Sequence, residues 1–167
     1  MPKIIVNARQ KLIDEARKQA TENGYSSLNI RTVAKNCDIS VGTVYNYFPS
    51  KDALVAEFLN SDWEEHMQEF HAAVAAGAPI RSVVESIYRE LRNFQTRYTG
   101  VFQALTPKMT KSKKTYHTTL RDQLADCVKP YCHDMFTARF IAESLIVWSV
   151  EGASFRKLAS TIEKIVA

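Results

Sequence analysis

Three capping residues and one proline, Asn29, Ser40, Ser50 and Pro49, confine the chain between residues 29 and 50 to short helices. Asn and Ser side chains accept a hydrogen bond from the free amides that open a helix, so each marks a start. Pro49 disfavours helical geometry in Phe48, so the helix opened by Ser40 must stop there. Cys37-Asp38-Ile39 is left as a turn, in which Asp tolerates positive φ, though less well than Gly. Ser50 then opens a longer helix, with Asp52 in the first turn, where negative charge is favourable.

Around this punctuation the chain reads as all-α. No segment sustains the period-2 alternation of strands, and the five glycines and five prolines stand largely at breaks. Ile5, Ala8, Leu12, Ala16 and Ala20 trace a first amphipathic helix stopping at Asn23-Gly24, with Gly24 expected in the left-handed conformation. The helix after Ser50 carries Val55, Leu59, Trp63, Met67, Phe70 and Val74 on one face and runs to about Ala76, roughly 40 Å at 1.5 Å per residue. Ile80 to Tyr98 restarts the pattern after Gly77-Ala78-Pro79, and a short apolar piece, Val101 to Leu105, follows Gly100. Pro107 and the basic run Lys108 to Lys114 read as a solvated loop. Tyr116 to Met135 is helical with an interruption or kink at Pro130. Phe140–Val150 and Phe155–Val166 form two last helices, divided near Gly152.

Charge separates the ends of the chain. Residues 1–51 hold eight Lys/Arg against four Asp/Glu, while the rest holds fourteen of each, so the whole formal excess of +4 lies in the first third. A basic module joined to a neutral one suits a polyanion-binding head on a dimerisation body. No stretch approaches the ~20 apolar residues of a membrane span, and the N-terminal apolar run is too short for a secretory signal; the expectation is a cytoplasmic protein without membrane attachment. The three cysteines, with no CxxC, indicate neither a disulfide framework nor a standard zinc site. Cys127, Cys132, His117 and His133 are the sole hint of a metal or nucleophile. Pro130 disturbs their register, and adjacent helical residues point ~100° apart. With no HExxH, GxSxG or phosphate-binding Gly-rich loop, neither catalysis, metal nor cofactor is expected.

Val33, Ala34, Ile39 and Val44 let the two short helices pack steeply as a helix-turn-helix, with Val44 and Phe48 inward. The outward face of the second of them presents Val41, Gly42, Thr43, Asn46 and Tyr47, able to hydrogen-bond to base edges, touch a thymine methyl or admit a phosphate. Glycine inside a helix costs ~1 kcal/mol relative to Ala, so Gly42 suggests a backbone approach that a side chain would block; a merely tolerated glycine is the alternative.

Gly24-Tyr25, Ile30-Arg31-Thr32-Val33-Ala34 and the run from Ile39 through Gly42-Thr43-Val44-Tyr45-Asn46-Tyr47-Phe48-Pro49-Ser50-Lys51 to Leu54 resemble the DNA-binding domain of TetR-family transcriptional regulators. The resemblance covers roughly residues 5–58. It departs from the family at Cys37-Asp38, where a small residue and Gly are commoner, and at Leu28-Asn29, where the family is Thr-rich. Carried over by position, it implies phosphate contacts at Asn29 and Arg31, base or nearby backbone contacts at Ser40, Val41, Gly42, Thr43 and Asn46, and phosphate clamps at Tyr45, Tyr47 and Lys51.

The resemblance also implies an architecture: a helix-turn-helix domain over residues 1–50 and a helical effector-binding and dimerisation domain over 51–167. Trp63, Tyr88, Phe94, Tyr98, Phe102, Tyr116 and Trp148 suit either a cavity lining for a small-molecule effector or plain core. Phe140, Leu145, Trp148, Phe155, Leu158, Ile162 and Ile165 are the expected homodimer contacts, because Leu145 to Trp148 is apolar around the whole helix. The expected function is a repressor that binds a near-palindromic double-stranded DNA operator as a homodimer and is released by an unidentified effector. A helical protein-protein adaptor is the alternative.

Overall fold

The computed structural model describes residues 7–105 and 110–167; Ile5, Pro107 and Lys108 lie outside them. Among the described residues 83% are helical and none forms a strand, as an all-α chain requires. The helices are α1 (Ala8–Asn23), α2 (Ile30–Asn36), α3 (Val41–Tyr47), α4 (Lys51–Ala75), α5 (Ile80–Arg97), α6 (Thr99–Leu105), α7 (Thr110–Val128), α8 (Met135–Glu151) and α9 (Phe155–Val166).

They form two compact units, and these divide elsewhere than between residues 50 and 51. The first runs through Trp63 and regains the chain at Tyr98 for α6; the second takes Glu64–Arg97 and the helices from α7 onward. The first turns of α4 explain the difference, because Leu54, Val55 and Phe58 are wholly buried and supply core to the first unit. They join Leu12, Ile13 and Ala16 of α1, Val33 and Ala34 of α2, Val44 of α3, and Tyr98 and Val101. Each large apolar side chain buried in this way stabilises the fold by about 1.5–3 kcal/mol relative to exposure.

The second unit is built on α5, whose Val83, Val84, Ile87, Tyr88, Leu91 and Phe94 form one buried face while Arg81, Glu85, Arg89 and Arg92 face water. Helices α8 and α9 pack on α5, and α7 packs along α8. Tyr88 sets the turn between the last two helices: its buried hydroxyl donates to the Ala153 carbonyl at 2.5 Å, just past Gly152 in the left-handed conformation.

Several local expectations change. Helix α7 starts at Thr110, so the part of the basic run from residue 110 is helix rather than loop. The expected interruption at Pro130 is there, but α7 does not resume after it: a 3-10 turn, Lys129–Tyr131, follows, and Asp134 opens α8 by accepting from the Thr137 amide at 2.7 Å. Gly100 lies inside α6 rather than at a break. Gly24 has positive φ, but its ψ of 163° is extended, not left-handed helical. No helix among the described residues is long and apolar enough to cross a membrane.

Candidate nucleic-acid interface

All three expected caps are formed. Asn29 Oδ1 accepts from the Arg31 amide at 2.8 Å, Ser40 Oγ from the Thr43 amide at 3.1 Å, and Ser50 Oγ from the Ala53 amide at 3.0 Å. Caps of this kind contribute about 1 kcal/mol each, much for helices of seven residues.

The turn between α2 and α3 follows from its hydrogen bonds. Asp38 takes φ 56°, its amide donates to the Lys35 carbonyl at 3.2 Å, and the Ile39 amide reaches back to Ala34 at 2.9 Å. That pair is the Schellman ending of a helix, in which the left-handed residue is usually Gly. Ile39, the next residue, is buried. Asp38 therefore does the work of the glycine that family resemblance led one to expect.

With Val44 and Phe48 inward at 0% and 3% exposure, α3 turns its other side to water. Gly42, Tyr45, Asn46 and Tyr47 are exposed, and Val41 and Thr43 are half-buried. Tyr45 and Tyr47 keep 50% and 45% of their surface accessible, with the Tyr47 ring tilted 6.4 Å from that of Phe48. Asn29 and Arg31 are exposed at the start of α2. The face thus offers phenolic O–H donors, an amide that can pair bidentately with adenine, and an unburied guanidinium, the inventory used on phosphates and base edges.

Gly42 has no reason inside the chain to be glycine. Its φ is helical, and a Cβ there would meet nothing nearer than Ser40 Oγ at 3.9 Å. The open space on that side is available to a partner.

Lys51 does not extend freely from this surface. Its Nζ sits 4.1 Å from the centre of the Tyr25 ring, while the Tyr25 hydroxyl donates to Asp52 Oδ1. Burial, reinforced by the hydrogen bond to Asp52 and that carboxylate's charge, pushes Tyr25 up to about 12. The cluster pins the turn after α1 to the start of α4, a role for Tyr25 and Asp52 that local sequence pattern did not reveal. Asn36 Nδ2 donates to Glu15 Oε1 at 2.6 Å and ties α2 to α1. Donation from Gln19 above all, and from Asn36, lowers the Glu15 pKa against the opposing effect of burial.

The aromatics expected around an effector fall in both units. Trp63, Tyr98 and Phe102 belong to the first unit, Tyr88, Phe94, Tyr116 and Trp148 to the second. Tyr98 packs its ring 5.7 Å from that of Phe58 and donates its hydroxyl to Asp62; Tyr88 holds the α8–α9 turn. Trp148 is 43% exposed on α8. Tyr116 is half-buried, and burial pushes it up to about 12. Cys127 is buried, and its thiol is pushed up to about 11, the opposite of an activated nucleophile.

Two expected dimer contacts move into the chain's own core: Leu145 is 0% and Ile162 2% exposed. The sidedness of α8 explains this, because its opposite surface exposes Phe136 (79%), Phe140 (50%), Val147 (36%) and Val150 (58%), with Trp148 at the border of the buried face. At about 100° per residue, Phe136, Phe140, Val147 and Val150 share an arc of about 80°. Phe155, Leu158 and Ile165 on α9 are half-buried.

Comparison with known proteins converges on the same head. Residues 12–58 match the family model described as bacterial regulatory proteins, tetR family. The chain is 33% identical over 79 residues to the HTH-type transcriptional regulator UidR of Escherichia coli (strain K12), a match covering 47% of this chain and 40% of UidR. It is 36% identical over 74 residues to the HTH-type transcriptional repressor KstR of Mycolicibacterium smegmatis, covering 44% of this chain and 36% of KstR. These matches span less than half the length of either relative. The whole fold is similar to that of Thermus thermophilus FadR, a repressor solved in complex with lauroyl-CoA, with TM-score 0.67, 18% identity and coverage of 95% of this chain and 92% of FadR. Salmonella enterica GusR superposes with TM-score 0.60 at 21% identity over 99% of this chain and 96% of GusR. At such identities the likeness speaks for the fold.

Proposed function

We propose, from the premise that this chain belongs to the TetR family of bacterial regulatory proteins, that it is a transcriptional repressor that binds a near-palindromic operator as a homodimer. One observation carries this most: the exposed face of α3, where two half-exposed tyrosines and Asn46 accompany a glycine whose Cβ position stands open. In a dimer two such helices set about 34–36 Å apart enter successive major grooves of one DNA face. Ser40, Val41, Thr43 and Asn46 read base edges, and Gly42 lets the backbone close on a phosphate. Asn29, Arg31, Tyr45 and Tyr47 hold phosphates, with Asn29 using its free amide nitrogen because Oδ1 caps α2. Lys51 contributes field from its perch on Tyr25.

The second copy pairs through the apolar stripe of α8, Phe136, Phe140, Val147 and Val150, together with Trp148 and with Phe155, Leu158 and Ile165 of α9. A stripe of this size on one helix is the kind of exposed apolar surface that marks a protein interface. Repression is supported by KstR and FadR, both named repressors. Release by a small molecule is supported by FadR, solved with lauroyl-CoA. In this chain the effector belongs to the second unit, where Phe94 and Tyr116 are the aromatic candidates, and binding favours a state that fits DNA poorly. A DNA-bound regulator works in the cytoplasm.

The α8 stripe taken alone also suits an adaptor that binds other proteins. Selection of binding sites from random duplex DNA separates the two. The wild-type chain is expected to enrich a palindrome that Tyr47→Ala fails to enrich; a folded dimer that enriches nothing leaves the adaptor.

A further inference from the structure

One buried carboxylate stands where the chain leaves and re-enters the head. The first unit gives up the chain after Trp63 and takes it back at Tyr98. Asp62, one residue before the exit, is 8% exposed and accepts the hydroxyl of Tyr98, the first residue of the return. Its other oxygen, Oδ1, pairs with Arg17 Nε of α1 at 2.7 Å. Arg17 in turn places NH1 2.7 Å from Asp14 Oδ1 one turn earlier on the same helix. The exit and the return of the chain thus meet at a single side chain, which is hydrogen-bonded to Tyr98 and ion-paired with α1.

Such a node makes the position of α1 depend on the position of Tyr98. A buried carboxylate that loses one donor must find another or draw in water, and the remaining ion pair with Arg17 is then re-formed in a different geometry. Helix α1 packs on α2, and Asn36 fixes α2 to Glu15 of α1, so a shift of α1 is felt by the helix-turn-helix. Tyr98 is continuous with Arg97, the last residue of α5.

Building on the proposed DNA-binding role, we infer that Arg17, Asp62 and Tyr98 form a coupling latch: displacement of the end of α5 withdraws the Tyr98 hydroxyl from Asp62, loosens Arg17 and releases α1 from its DNA-competent position. The three are positioning residues and touch no DNA. Both crossings, at Trp63 and at Tyr98, feed the same carboxylate.

Amide hydrogen exchange on the full-length chain tests the latch without any effector. Tyr98→Phe deletes one hydroxyl and keeps the ring against Phe58. It is expected to speed exchange in α1 by about 5-fold or more, with α9 unchanged. Arg17→Met is expected to do the reverse, speeding exchange at residues 99–105, because coupling is reciprocal. On a duplex recovered by selection, Tyr98→Phe is expected to change affinity by about 3-fold or more. Acceleration confined to the neighbourhood of each substitution, or uniform across both units, overturns the latch. Reciprocal exchange effects with unchanged DNA affinity also overturn it, since the coupling then stops short of the head. If the wild-type chain selects no duplex, the regulator role has failed, and the latch is judged by exchange alone: reciprocal effects uphold it and local ones refute it.

Discussion

The outward faces of α3 and α8 both expose large aromatic residues, and they differ in what those residues carry. On α3 the rings end in hydroxyls and stand beside an amide and an open glycine, in the part of the chain that holds the whole excess of positive charge. On α8 the exposed set is Phe, Val and Trp, and the polar Ser144 turns its hydroxyl back to the Phe140 carbonyl at 2.8 Å. Exposure is what the two faces share; the chemistry at the ring tips is what supports a different proposed partner for each. A polar-tipped face suits a hydrated polyanion, and an apolar stripe suits a surface that sheds its water against another stripe.

The contrast breaks most visibly if charge is put on α8. Phe140→Glu with Trp148→Glu is expected to give a folded monomer by sedimentation at micromolar concentration. Losing the paired head should lower operator affinity by about 10²–10⁴-fold. A dimer that survives both substitutions would mean that the stripe serves something else.

Gly42→Ala sharpens the reading of α3, because the two effects are predicted to run in opposite directions. Chemical denaturation should show a gain of up to ~1 kcal/mol, since Ala is the better helix former and its methyl has room. Operator binding should weaken by about 10-fold or more as that methyl meets the DNA backbone. Unchanged binding would make the glycine incidental.

Arg31→Ala probes the phosphate side of the same face. Affinity should fall about equally for related sequences, and the slope of log affinity against log salt should flatten by about 1 per substituted chain. The smallest effect concerns the anchor behind the face. Tyr25 titrates near 12 when folded and near 10 when unfolded, so between those values the unfolded chain loses a proton that the head retains. The stability this contributes is complete below pH 10 and drains away as pH rises through 12. Tyr116 and Cys127 also lie high, so the quantity to follow is the advantage of wild type over Tyr25→Phe, which should shrink across that window in thermal melts.

What could be read from the sequence was local chemistry. Asn29, Ser40 and Ser50 cap as expected because a cap needs only its own side chain and an amide two or three residues on, and Asp38 takes positive φ because the Cys37–Ile39 turn leaves it no choice. Asp134 carries the same signal ahead of Thr137, and continuing the preceding helix through Met135 obscured it. Sidedness on α8 was beyond a periodicity argument: a helix apolar all round does not say whether Leu145 or Phe136 meets the core. The return of Tyr98 to the head, and its bond to Asp62, join residues far apart in sequence with no local mark. Nor does aromatic content tell a hydroxyl that braces the fold, as in Tyr88 and Tyr98, from one that waits for a ligand.

The central claim, that the α3 face reads DNA sequence for a paired chain, is tested most directly by titrating the wild-type protein into a selected duplex and into its shuffled counterpart over a range of salt. The account predicts two chains per selected duplex, a preference of about 10³-fold or more over the shuffled one, and affinity that falls steeply with salt for both. Equal affinity for the two duplexes, whatever the salt dependence, would contradict it.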